Sequence, residues 1–234
     1  NAGGTIEVMC AAARQHVRRV VLASSCAVYG CTAALPSRET QRPDPTSPYG
    51  VSKLAAEGYL HTLGCRHGIA TVALRYFNVF GEGQDPHSAY AAVVPAFALA
   101  ALEGRAPVVN GDPAITRDYV HVGDIVRANL LAAGAQVPGG VTCNVATGTS
   151  HSLGDLLDAI GAAVGHPVVP VIGPARPGDV ARSEADVTLA RRALDYAAVV
   201  PFETAVERTV RWYAEHARER IGTAPGALVG AGRP

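Results

Sequence analysis

Tyr49 and Lys53 stand one helical turn apart in the string Ser47-Pro48-Tyr49-Gly50-Val51-Ser52-Lys53. Pro48 closes the preceding loop and an Ala/Leu-rich run follows, which predicts that Tyr49 opens a helix. At i,i+4 the phenol and the ammonium share one helix face. A free phenol ionises near pH ~10, too high for a base at neutral pH. A cation within ~4–6 Å favours the phenolate. The pair is therefore a way to make a poised general base. The same two residues also occur at this spacing on the wet face of ordinary amphipathic helices, so the surroundings have to decide.

Four apolar residues, Val20-Val21-Leu22-Ala23, run into Ser24-Ser25-Cys26-Ala27-Val28-Tyr29-Gly30. An apolar run ending in small polar residues predicts a buried parallel strand. Ligands of open α/β sheets lie outside the carboxyl ends of the strands. Ser25 then sits at a ligand edge, where it can hydrogen-bond a reacting hydroxyl. A second buried strand over 71–75 delivers Tyr76-Phe77-Asn78 to the same edge.

These strands need helices to cover them. Positions 5–16 predict a helix with Ile6, Met9, Cys10 and Ala13 inward, and 49–67 a longer one with Val51, Ala55, Tyr59 and Leu63 inward, stopped by Gly68. Between them, 31–48 is a long polar loop, a length usually functional or mobile. Asp85-Pro86-His87-Ser88 is a turn, and 91–104 predicts a helix interrupted at Pro95. Beyond this point the pattern is mixed. Short strands are expected at 108–109, 141–145 and 167–172, and an extended segment at 116–122 leads into a helix over 124–133. Ser152 with Asp155 caps a helix with Leu153, Leu156, Leu157 and Ile160 inward. An amphipathic helix carries Phe202, Ala205, Val206, Thr209, Val210 and Tyr213, and the Gly/Ala/Pro tail from Gly222 reads as disordered.

Composition narrows the function classes. The 234 residues hold 20 Lys+Arg and 20 Asp+Glu, so no global field draws the chain to nucleic acid or an anionic membrane. The five cysteines are an odd set without C-x-x-C, which points to free thiols in a reducing, cytoplasmic compartment. No paired ligand spacing suggests a metal. The longest apolar run, 89–102, is short for a membrane span and contains Pro95. No stretch reads as a signal peptide. No glycine-rich phosphate loop lies between a strand and a helix.

The strings S-S-x-x-V-Y-G, S-P-Y-x-x-S-K and L-R-Y-F-N-V-F-G, in that order, resemble the extended short-chain dehydrogenase/reductases, and within them the NAD-dependent nucleotide-sugar epimerases. The resemblance runs from Asn1 to about Tyr213. It implies an α/β fold: a Rossmann-like doubly wound parallel sheet with a smaller mixed α/β substrate lobe. The opening Asn1 and Gly4-Thr5 resemble a helix from the middle of that family's nucleotide domain. The chain is therefore expected to be N-terminally truncated and to lack the half that grips the cofactor pyrophosphate. Residues 1–88 would be the later part of the NAD-binding domain. Residues 89–221 would be mainly substrate lobe with segments returning to that domain, and 222–234 a tail.

The resemblance also assigns roles. It implies a 4-epimerase acting on a UDP-hexose or UDP-N-acetylhexosamine through a 4-keto sugar on bound NAD, in a homodimer. Ser25, Tyr49 and Lys53 are the expected catalytic residues. Asn1, Ser24, Tyr49, Lys53 and Phe77 are expected to hold NAD. Ser25, Asn78, Arg117, Arg176 and Ser183 are expected to hold substrate. The two arginines lie in T-R-D-Y-V-H-V and R-P-G-D-V and would grip the diphosphate as guanidinium forks. Ser183 falls where related UDP-galactose enzymes carry a bulky Tyr, and its small side chain leaves room for an N-acetyl group. Cys26 and Ala27 replace the Asp-Glu pair of related dehydratases, which disfavours dehydration. Asn110 departs from the aromatic residue often found near the uracil. Two other outcomes fit these residues: a nucleotide-sugar reductase or decarboxylase, and a non-catalytic fragment that binds nucleotide sugar or dimerises.

Overall fold

The apolar stretch at 20–23 lies inside a parallel strand, and helices cover the sheet it belongs to on both faces. The structure is a computed structural model that describes residues 1–31, 34–86, 93–137, 139–175 and 181–221, the last five of these as backbone only. In chain order the elements are α1 (Ala2–Arg14), β1 (Arg19–Ser25), α2 (Pro48–His67), β2 (Ala70–Tyr76), β3 (Asn78–Phe80), α3 (Val93–Leu102), β4 (Val108–Asn110), β5 (Thr116–Arg117) and β6 (Tyr119–His121). There follow α4 (Val122–Gly134), β7 (Gly140–Val145), β8 (His151–Ser152), α5 (Leu153–Val164), β9 (Val171–Gly173), α6 (Thr188–Leu194) and α7 (Phe202–Ile221).

Strands β1, β2 and β7 form a parallel sheet in the order β1-β2-β7. Side chains alternate faces along β2. Ala73 packs with Met9, Ala12 and Leu60 of α1 and α2. Val72 and Leu74 pack with Ile125, Ala128 and Ala132 of α4 and Ala190 and Leu194 of α6. Helices on both faces of a parallel sheet make the fold doubly wound. A second core joins Phe97 and Ala98 of α3, Leu156 and Ile160 of α5, and Val206, Val210 and Tyr213 of α7. The mixed lobe thus has its own interior, and β3-β6, β4-β9 and β5-β8 are two-stranded pairs at its margins.

Several expectations hold and some fail for identifiable reasons. The Ser152–Asp155 capping box is present, and its four predicted apolar residues are buried. Ser47 caps α2 through Gly50 N–H, and Gly68 ends it in the left-handed region at φ 68°. The predicted inward stripe of α2 is wrong: Val51 is 53% and Tyr59 45% exposed. The buried residues are Gly50, Ala56, Glu57, Leu60 and Gly64. Apolar residues occur around the whole helix, so periodicity alone picks the wrong face, and a buried carboxylate disguises the right one. On α1 the buried set is Thr5, Met9 and Ala12. Pro95 does not interrupt α3, which runs through it over Val93–Leu102. Strand β9 is shorter than predicted, and α6 was not foreseen. The end of the 85–88 turn and the tail from Gly222 lie outside the described residues.

Candidate active site

The carboxyl ends of β1 and β2 open on a cleft of about 510 Å³ between the sheet and the mixed lobe. Ser25, Tyr49, Phe77, Asn78 and Arg117 all line it. Ser25 is the last residue of β1, level with Tyr76 in the register. Its hydroxyl oxygen accepts from Ala27 N–H at 3.1 Å, which sets its rotamer at the start of a short helical turn over Cys26–Tyr29. Tyr49 stands in the first turn of α2 and is 44% exposed toward the cleft. Gly50 lets this turn approach the β1 end: a Cβ there would lie 2.5 Å from the Ala27 carbonyl oxygen. The Lys53 ammonium lies 5.6 Å from the centroid of the Tyr49 ring and donates to Ala23 O at 2.8 Å. Burial holds its proton affinity below the ordinary lysine value.

The other expected residues gather less uniformly. Asn78 donates its side-chain N–H to Asp118 O at 3.3 Å and to Ser183 Oγ at 3.5 Å. The amide is thus partly spent on the backbone, yet it lines the cleft and brings Ser183 to its wall. The Arg117 side chain donates only to Thr116 O among the hydrogen bonds seen, and its guanidinium has no carboxylate ion pair among the described residues. Phe77 is buried, with its N–H on Val145 O. Asn1 donates to Ser52 Oγ at 2.8 Å, between Tyr49 and Lys53 on the helix. Ser24 turns inward: it is buried and its hydroxyl donates to Glu57. Arg176 lies outside the described residues. Burial pushes the Cys26 thiol up to about 11, so beside Ser25 it offers no acid–base group at neutral pH.

Sequence reasoning missed three features. Glu57 and Arg75 form a buried ion pair beneath the site, with Arg75 Nη2 2.8 Å from Glu57 Oε2. A charge inside an apolar strand needs a partner, and Arg75 at the end of 71–75 was such a signal. Asp118, fully buried, accepts from Thr147 N–H, Thr147 Oγ, Gly148 N–H and Ala185 N–H, and so ties the loop after β7 to the 183–187 segment. Third, two polar atoms at the cleft lack hydrogen-bond partners among the described residues: the Tyr119 hydroxyl and the Gln84 side-chain oxygen. Buried polar atoms without partners are costly, and a polar ligand in the cleft would satisfy them.

Known proteins share this fold. A UDP-glucose 4-epimerase of Mycolicibacterium smegmatis is 39% identical over 214 residues, which cover 91% of this chain and 68% of that protein. The solved UDP-N-acetylglucosamine 4-epimerase of Methanobrevibacter ruminantium, in complex with UDP-N-acetylmuramic acid, superposes with a TM-score of 0.88 at 34% identity. The match covers 92% of this chain and 69% of that one. The Thermus thermophilus UDP-glucose 4-epimerase in complex with NAD gives a TM-score of 0.79 at 35% identity, over 90% of this chain and 68% of that one. The family model described as NAD dependent epimerase/dehydratase matches residues 1–146, and the chain belongs to that family.

Proposed function

We propose that the cleft inverts the C4 hydroxyl of a UDP-hexose or UDP-N-acetylhexosamine. The observation that carries this reading is the convergence of Tyr49, Ser25, Asn78 and Arg117 on one cleft, with the Lys53 ammonium beside the phenol. Tyr49 as phenolate takes the proton of the sugar 4-hydroxyl and later returns it. Ser25 hydrogen-bonds the same oxygen and holds it against the phenol. Lys53 stabilises the phenolate by its charge. Arg117 and Arg176 grip the diphosphate while the sugar turns between its two faces, so the ring is presented twice without leaving the site. Ser183 leaves space beside Asn78 for an N-acetyl group. Tyr119 and Gln84 supply further hydrogen bonds to a hydroxyl-rich ligand.

The residues at the sheet edge fit the nicotinamide-ribose end of NAD. A half-exposed phenol and an ammonium fixed on the Ala23 carbonyl offer the hydrogen-bonding groups that a vicinal diol needs, which supports this reading. Tyr49 and Lys53 would hold the ribose, the Phe77 backbone would lie along the nicotinamide, and Asn1 would approach from α1. Ser24 would contribute through its backbone, since its hydroxyl is engaged. Bound NAD supplies the two-electron acceptor and donor for the sugar carbon.

We assign 1–88 to the cofactor domain, 89–221 mainly to the substrate lobe, and the protein to the cytoplasm as a homodimer. All five cysteines are free thiols, as a reducing compartment requires. The test is product analysis after incubation with NAD and either UDP-N-acetylglucosamine or UDP-glucose. C4 epimers without net NADH are expected. Stoichiometric NADH or loss of carbon dioxide would replace epimerisation by a net redox or decarboxylating reaction. Absence of NAD binding by calorimetry would reduce the chain to a nucleotide-sugar binder.

A further inference from the structure

The face of α2 that carries Tyr49 and Lys53 continues one turn deeper to Glu57, which is only 4% exposed. A lysine and a carboxylate at i,i+4 are helix neighbours and ordinarily attract. Here they do not pair. The Glu57 carboxylate accepts from Arg75 Nε at 2.9 Å, from Arg75 Nη2 at 2.8 Å, and from Ser24 Oγ. Lys53 goes instead to the Ala23 carbonyl. The guanidinium of Arg75 also lies over the Tyr29 ring at 4.8 Å, and the Tyr29 hydroxyl donates to Asn144 Oδ1 at 2.6 Å. The pair is therefore anchored to all three strands of the sheet, directly below the cleft. An ion pair this dry adds little to stability, because desolvation offsets the attraction.

We propose that Glu57 and Arg75 are positioning residues for the Tyr49–Lys53 pair: Arg75 occupies the Glu57 carboxylate, which leaves the Lys53 ammonium on Ala23 and beside the phenol. The titratable groups one turn from Lys53 on α2 are Tyr49 and Glu57, and Arg75 reaches Glu57 from β2. The proposal rests on Tyr49 acting as the base.

Lys53 is the only lysine in the chain, so lysine labelled with carbon-13 gives one Cε resonance, and its titration midpoint reports this ammonium alone. Arg75→Gln is expected to raise the midpoint by about one unit or more, as Glu57 captures Lys53. Glu57→Gln is expected to lower it, because Arg75 is left uncompensated. The double variant is expected to titrate as the parent does. An unchanged midpoint in folded Arg75→Gln would overturn the proposal; so would a double variant shifted down by a unit, which would mean that Glu57 acts on Lys53 directly. If Arg75→Gln does not fold, an unmoved midpoint in Glu57→Gln is equally decisive. The measurement needs neither nucleotide sugar nor NAD, so it can fail while the product assay succeeds, and the reverse.

Discussion

A phenol moves protons at neutral pH only when something stabilises its anion, and the proposed mechanism gives that task to Lys53, whose ammonium lies 5.6 Å from the Tyr49 ring centroid. Tyr49→Phe keeps the ring and removes the proton-transfer group. It should lower kcat by about 10²–10⁴ with KM nearly unchanged, as loss of a general base does. Arg117→Ala should behave oppositely. It would remove the charge-assisted hydrogen bond proposed to the diphosphate, worth about 1.5–3 kcal/mol, which would appear mainly as a KM raised about tenfold or more. Initial rates of UDP-sugar interconversion, measured side by side, separate the two patterns. Both residues stood out in the sequence because their neighbours form specific strings. Tyr119 and Gln84 did not, since an unpartnered oxygen is a property of packing, invisible in letters.

At the level of elements, the sheet carries a titratable bridge at the end opposite the cleft. His61 of α2 bonds Thr71 Oγ at 2.9 Å through Nδ1 and Thr142 Oγ at 2.9 Å through Nε2, linking the helix to β2 and β7. Burial lowers its proton affinity below the ordinary 6.5, with Arg75 adding to that effect and Glu57 opposing it. The unfolded chain therefore takes the proton first as pH falls. The stabilising contribution is complete above about pH 6.5 and declines as pH drops through 6.5 toward the depressed folded value. Urea midpoints measured from pH 8 to 5 should fall on the acid side, and His61→Gln should flatten that slope. The α2 face itself was misjudged from periodicity. The strands at 20–23 and 71–75 were found within two residues of their expected ends, but β1 is an edge strand, half-buried with Ala23 exposed, rather than the buried strand expected.

Across the whole molecule, the exposed apolar residues of α1 and α2 fit the homodimer reading. Val8, Val51 and Tyr59 all lie on the outer surface of this packed helix pair. Replacing Val51 and Tyr59 with arginine should yield a monomer in sedimentation equilibrium at micromolar concentration; an unchanged mass would place any interface elsewhere. Much of the architecture could be inferred before any coordinates, because hydrophobic periodicity, caps and breakers are local and each acts within a few residues. The strings around Tyr49, Ser25 and Lys53 stood out for the same reason, and the fold brings Tyr49 and Ser25 to one cleft with Lys53 beside the phenol ring. What needed the tertiary structure was every relation between distant residues that share no local pattern. Glu57 finds Arg75 across 18 positions, Asp118 gathers donors from 147, 148 and 185, and Asn78 meets Ser183 across 105. Burial makes those encounters obligatory, since a polar group taken out of water must find its partner wherever the fold has put it.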